Sequence, residues 1–82
     1  MYIDSNMEML AYDTAVGEGE SLDTLASLLD IESADKALFK QTMHENFEAI
    51  FPKDSAESLE VFVGLRSVLK NNDALAHYAV QM

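Results

Sequence analysis

The chain has 82 residues, a formal net charge of −10, 15 acidic side chains, five lysines and arginines together, and no cysteine. Its length predicts one small domain over residues 1–82, and 49% apolar residues fit a folded rather than a disordered chain. The lack of cysteine excludes disulfides and thiolate metal sites, and the acidity disfavours nucleic acids and anionic membranes as partners.

The charge is distributed unevenly along the chain. Residues 1–35 carry nine acids and no lysine or arginine, whereas residues 36–82 carry six acids and all five bases. An acidic surface of this kind attracts basic protein surfaces, although a solvated face that only maintains solubility gives the same pattern. The sequence shows no leader peptide and no apolar run of about 20 residues, so we expect a cytoplasmic monomer without a membrane span.

The first two predicted helices cover residues 5–16 and 21–29. Ser5 and Glu8 have the spacing of a capping box, and Gly17 follows as a helix terminator. Ser21 is available as the N-cap of the second, short helix. The leucines of that helix recur at helical spacing, at Leu22, Leu25, Leu28 and Leu29.

The third and longest predicted helix covers residues 33–51. Ser33 is suited to the N-cap position of this helix, and Asp35 is favourable in its first turn. Pro52 ends the helix after Phe51. One apolar stripe predicts the face that packs on the core, formed by Phe39, Met43, Phe47, Ile50 and Phe51.

Residues 54–70 predict one buried helix, because apolar side chains cover most of its circumference. Asn71-Asn72-Asp73 indicates a stop, and residues 74–80 predict a last short helix. The predicted fold class is therefore a small all-α bundle.

The segment Leu29-Asp30-Ile31-Glu32-Ser33, 14 residues ahead of Phe47, resembles the acyl carrier protein family. In that family a serine in an Asp-Ser-Leu motif opens a long helix. The resemblance extends without gaps from Leu25 to Leu69 and implies a four-helix bundle whose long second helix starts at Ser33. The matching positions are Leu25 and Leu29 as loop anchors, Phe39, Met43 and Phe47, Phe51-Pro52, and then Ala56, Leu59, Phe62, Leu65 and Leu69.

The resemblance also implies a function. A 4'-phosphopantetheine arm would be attached covalently to Ser33 by a separate phosphopantetheinyl transferase that uses Mg²⁺ and coenzyme A. The chain would be no enzyme itself but would carry acyl groups as thioesters in fatty-acid or polyketide-type synthesis. Glu32, Asp35 and Asp30 would recognise the basic surfaces of the transferase and the acyl-processing enzymes. The acyl chain would be sheltered by Met43, Phe47, Phe62 and Leu65.

Several residues depart from the family pattern. Glu32 stands where the family usually has aspartate, Asp30 where it has glycine, and Ala34 where it has leucine. Lys36 and Lys40 lie on a helix whose outer face is usually acidic in the family. These departures fit an atypical carrier, or a carrier fold that has lost its arm. The segment Glu20-Ser21-Leu22-Asp23 matches the motif more closely in letters, but it lies too far ahead of Phe47.

Other interpretations of the same residues stay open. Ser33 alone indicates no more than an ordinary N-cap. The chain as a whole also fits an acidic helical interaction module, an inhibitor or nucleic-acid mimic that occupies a basic groove without any prosthetic group. The i,i+4 pairs His44–Glu48 and Asp73–His77 offer two ligands each, which is too few to predict a metal site.

Overall fold

The computed structural model describes residues 2–52 and 57–80, which are helical with connecting turns and contain no strand. The predicted all-α class is confirmed for this part of the chain. Of the helices described, none is both long enough and apolar enough to cross a bilayer. Seven helical segments follow one another there: α1 (Tyr2–Ser5), α2 (Met7–Val16), α3 (Glu20–Leu28), α4 (Ser33–Glu45), α5 (Phe47–Ile50), α6 (Ser58–Lys70) and α7 (Ala76–Ala79).

The helices begin and end close to the predicted positions, with several corrections. The helix predicted at 5–16 is divided, because Ser5 ends α1 and Asn6 is the N-cap of α2, so the capping box of Ser5 and Glu8 is not formed. Gly17 does end α2, in the left-handed conformation with φ 93°. The helix predicted at 74–80 is shorter than expected, and that predicted at 54–70 begins at Ser58, with residues 54–56 outside the described ranges.

The core is built mainly from one side of each longer helix. Phe39 and Met43 of α4 and Ile50 of α5 are completely buried, as their apolar stripe predicts. The helix predicted to be buried all round, now α6, instead buries one side only. Leu59 and Val63 on its outer side are 67% and 56% exposed. The buried side of α6 consists of Val61, Leu65 and Leu69.

A break at Asn46 divides the helix predicted at 33–51 into α4 and α5. Asn46 has φ −112° and ψ 24°, outside helical values. Its side-chain amide donates to the carbonyl of Thr42 over 2.8 Å, an acceptor that also receives the backbone N–H of Asn46 over 3.1 Å. The break turns the short helix α5 towards α6, where Gly64 permits a close approach. A Cβ atom at Gly64 would lie 2.7 Å from the carbonyl oxygen of Ala49.

A buried carboxylate joins α2 to α3. Asp13 lies in the last turns of α2, is 6% exposed, and accepts hydrogen bonds from the backbone N–H groups of Ser21 (2.8 Å) and Leu22 (3.3 Å). It therefore caps the N-terminus of α3 from a distance, where its negative charge is also favourable to the helix dipole. The predicted capping role of Ser21 is wrong, because Gly19 is the N-cap residue and Asp13 supplies the side chain.

Asp30 completes the turn between α3 and α4 in a left-handed conformation, with φ 58°. Its N–H donates to the carbonyl of Ser27 (3.1 Å), and the N–H of Ile31 donates to that of Ala26 (3.0 Å). This is the Schellman arrangement, in which the left-handed residue is usually glycine. Asp30 therefore occupies, at some cost, a conformation that glycine adopts freely.

The cost at Asp30 yields a prediction with an internal control. We expect Asp30→Gly to be more stable than the wild type and Asp30→Ala to be less stable, although both substitutions remove the same charge. The two variants should differ by about 1 kcal/mol, or roughly 4–8 °C in Tm. Thermal unfolding followed by circular dichroism measures this difference. Equal stability of the two variants would show that charge, not backbone conformation, determines the effect.

Candidate functional site

Ser33 is exposed and is the first helical residue of α4. Glu32 takes the N-cap position, with φ −65° and ψ 151°, and its carbonyl accepts a hydrogen bond from the N–H of Asp35 over 2.9 Å. The predicted N-cap role of Ser33 is therefore wrong by one residue. Glu32 lies at the cap without making a side-chain cap bond. The Ser33 side chain lies at the surface, in the first turn of a 13-residue helix.

The buried ring of Tyr78 brings α7 to this first turn. Its hydroxyl donates to the Asp35 carboxylate over 2.6 Å and accepts from the backbone N–H of Glu32 over 3.2 Å. Tyr78 thus satisfies one N–H group at the start of α4 and holds a carboxylate that was expected to contact partners. The partners of these bonds are 43 and 46 residues apart in sequence, and no local pattern reveals them.

The hydrogen bond to Asp35 raises the pKa of Tyr78 above its usual value of about 10. Ionisation of the phenol would lose the bond and place two negative charges together. Burial and the nearby charge of Glu32 act in the same direction, while the backbone bond from Glu32 opposes the shift. Tyr78 is therefore held as a neutral donor at physiological pH.

The two lysines of α4 contact α3. Lys40 pairs with Asp23 over 2.9 Å, and Lys36 donates to the hydroxyl of Ser27 over 3.4 Å. These lysines, which depart from the acyl carrier pattern, link two helices at the surface of this protein. Each contact is exposed to solvent, so each contributes little to stability.

The residues expected to shelter an acyl chain belong to the core or its margin. Met43 and Leu65 are completely buried, and Phe47 and Phe62 are partly buried against the core. Leu25, aligned with a loop of the carrier pattern, lies inside α3, and Leu29 is the C-cap of that helix. Leu59, aligned with an inner position, is exposed, and Ala56 lies outside the described residues.

The outer face of α2 carries an exposed apolar stripe that the sequence did not reveal. Met9, Tyr12 and Val16 are 58%, 67% and 51% exposed, and their spacing of three and four residues places them along one side of the helix. Single exposed apolar residues are normal on protein surfaces, whereas these three lie in one row along the same side of a helix. We refer to these three residues as the α2 ridge.

Two grooves with acidic residues in their walls flank α2. One, of about 350 Å³, includes Met9, Glu20 and Thr24 in its lining. The other, of about 400 Å³, runs beside Ala15 and is lined by Glu45 and Glu48 among others. Acidic side chains therefore line both of the grooves that adjoin α2.

A third groove lies where α6 faces α4 and α5. It measures about 520 Å³ and is lined by polar side chains, including Thr42, Asn46, Asn71 and Asn72. Asn72 donates to Thr42 and accepts from the N–H of Ala74, so its amide already has partners.

His44, one of the residues of the two i,i+4 pairs considered as metal ligands, contacts the carbonyl of Thr14 over 3.2 Å. Among the residues that the structure describes, no three His, Cys, Asp or Glu side chains are grouped to hold a metal ion.

Comparison with known protein families gives one assignment. Residues 1–79 match the family model DUF3015, described as a protein of unknown function, and the chain belongs to that family. Neither a curated protein nor a solved structure matches the chain significantly.

The contacts of Tyr78 predict a pH-dependent contribution to stability. Because folding raises the pKa of this phenol, its contribution is fully present below pH ~10 and is lost as the pH rises through the raised value. We expect Tyr78→Phe to be less stable than the wild type at pH ~7 and the difference to shrink at pH ~11. Urea unfolding at the two pH values measures this difference.

Tyr12→Phe is the matched control, since the Tyr12 side chain is largely exposed. It should leave the free energy of unfolding unchanged at both pH values. A difference between Tyr78→Phe and the wild type that stays constant with pH would show that the hydroxyl stabilises the fold without titrating.

Proposed function

We propose that the protein is an acidic helical interaction module that binds a basic protein partner. The observation that carries this proposal is the absence of any lysine or arginine from residues 1–35, which contain nine acids. A surface of one sign raises the rate of encounter with an oppositely charged partner and excludes partners of like charge.

The structure supports the proposal by showing which of these acids have internal partners. Asp13 is buried, Asp23 pairs with Lys40, and Asp35 accepts from Tyr78. Five other acids of this segment are exposed, and they remain at the surface for contact with a partner: Glu8, Glu18, Glu20, Asp30 and Glu32.

A simple cationic peptide tests this function. A helical peptide of lysine and alanine, about 15 residues long, should bind saturably with 1:1 stoichiometry. Its affinity should fall about tenfold or more when salt rises from about 0.05 M to about 0.5 M, because exposed charges are screened. Fluorescence anisotropy of the labelled peptide measures both properties.

Two charge variants distinguish a local surface from bulk acidity. Neutralising Glu8, Glu18 and Glu20 with glutamine removes three charges from the acidic segment. A control variant removes three exposed charges from the other half of the chain, at Glu57, Glu60 and Asp73. We expect the first variant to lose most of the binding and the control to stay within about twofold of wild type. Equal losses, or binding that ignores salt, would contradict the proposal.

A second candidate function is the acyl carrier role, which the exposure of Ser33 favours. The hydroxyl lies at the surface in the first turn of α4, behind a turn whose left-handed residue, Asp30, aligns with the glycine of the carrier pattern. A separate transferase would move the arm from coenzyme A: the Ser33 oxygen would form a phosphoester as the phosphoanhydride bond of coenzyme A breaks, adenosine 3',5'-bisphosphate would leave, and the hydroxyl proton would pass to the transferase. The engagement of Asp35 by Tyr78 leaves Glu32 and Asp30 as the exposed acids beside Ser33.

Intact mass spectrometry tests the carrier role directly. Incubation with a broad-specificity phosphopantetheinyl transferase, Mg²⁺ and coenzyme A should add one arm to the wild type and none to Ser33→Ala. Ser21→Ala is the matched control, because Ser21 lies in the segment that resembles the carrier motif in letters, and it should be modified normally. An unchanged mass of the wild-type protein excludes the carrier role.

A further inference from the structure

We propose that the α2 ridge and the grooves beside it form the docking surface for a basic amphipathic helix. The inference rests on the proposed interaction function and adds to it the site and the shape of the partner. Met9 and Val16 are seven residues apart on α2, so the ridge is about 10 Å long at a helical rise of about 1.5 Å per residue. Two turns of a partner helix would cover it.

The two faces of α2 differ in burial. Its inner face is held by the core, where Leu10 and Thr14 are completely buried. Its outer face presents Tyr12 between Met9 and Val16, and more than half of each of these three side chains is accessible to water. The contacts of α2 with the core are made by its inner face. The apolar surface outside is therefore available for binding.

The acidic side chains around the ridge favour a partner helix that carries basic residues. Glu8 is exposed on α2 itself, Glu20 lines the groove on the side of Met9, and Glu45 and Glu48 line the groove beside Ala15. A purely apolar partner would leave these carboxylates partly desolvated without compensation. Lysine and arginine side chains combine an apolar stem with a charged end, so they can cover the sides of the ridge and reach the carboxylates.

A helix that carries a leucine stripe with lysines on both sides has this arrangement. Its leucines would pack on the ridge, and its flanking lysines would enter the two grooves. A second copy of this chain is a poorer occupant, because each copy has a net charge of −10 and the surface in question is acidic. Anionic membranes and nucleic acids are repelled for the same reason.

The test compares two peptides that differ only in their apolar face. A lysine–leucine helical peptide and the lysine–alanine peptide of equal charge are titrated against the full chain. We expect the leucine peptide to bind about tenfold or more tightly, because its apolar face covers the ridge. Equal affinity of the two peptides would overturn the docking surface and would leave the electrostatic interaction function intact.

A triple substitution assigns the gain to the ridge. Met9→Gln, Tyr12→Gln and Val16→Gln together should abolish the preference for the leucine peptide, because glutamine keeps helix propensity and removes the apolar surface. The matched control replaces three other exposed apolar residues, Leu28, Leu59 and Val63, with glutamine and should retain the preference. A loss in the control variant instead of the ridge variant would place the site elsewhere.

Two measurements on the wild-type protein test the docking surface without any substitution. Backbone amide shifts should change on α2 and on the walls of the two grooves when the leucine peptide binds, and changes confined to α6 would overturn it. Sedimentation of the free protein should show a monomer. A dimer that the ridge substitutions dissociate would assign the ridge to a second copy and overturn the proposed partner. Absence of salt-sensitive binding to either peptide removes the interaction function itself.

Discussion

The buried carboxylate of Asp13 is the constraint on which the arrangement of the acidic half depends. A carboxylate this deep in a protein is stable only with hydrogen-bond donors, and the N-terminus of α3 supplies them at Ser21 and Leu22. The same contact requires Gly19, because a Cβ atom there would lie 2.2 Å from the Asp13 carboxyl carbon. One side chain of α2 thus fixes how α3 begins.

This junction also determines which side of α2 faces solvent. Asp13 and Thr14 point into the fold with Leu10, so the residues on the opposite side of the helix must point outwards. The apolar residues among them become the α2 ridge. In sequence the apolar positions of α2 form a broad and irregular set, since two different faces are superimposed. The structure separates them into a core face and an exposed face.

The sequence predicted helix content and most helix positions well, because amphipathic spacing and terminators such as Gly17 act locally. It failed at Asn46, where no proline or glycine marks the end of α4. At this break the Asn46 side chain bonds to Thr42, and α5 packs closely against Gly64 of α6. The close approach of α6, the next helix along the chain, overrides the helix propensity of the segment.

The candidate site was predicted less completely, for a related physical reason. Local rules assigned helix caps to Ser5, Ser21 and Ser33, but the start of α3 is satisfied by Asp13, eight residues or more away. The start of α4 is contacted by Tyr78 from the opposite end of the chain. Hydrogen bonds of this kind depend on tertiary structure, and a pattern of neighbouring residues does not contain them.

The position of the lysines connects the fold with the proposed function. Within residues 2–52 and 57–80, the one ion pair joins Lys40 of α4 to Asp23 of α3. Lys36 of α4 contacts Ser27, which also lies on α3. Both lysines of α4 therefore contact α3 and not α2, and the His44 ring of α4 contacts α2 at the carbonyl of Thr14. A basic partner of the kind proposed would pair its charges with the exposed carboxylates around the α2 ridge, and this pairing would favour the complex.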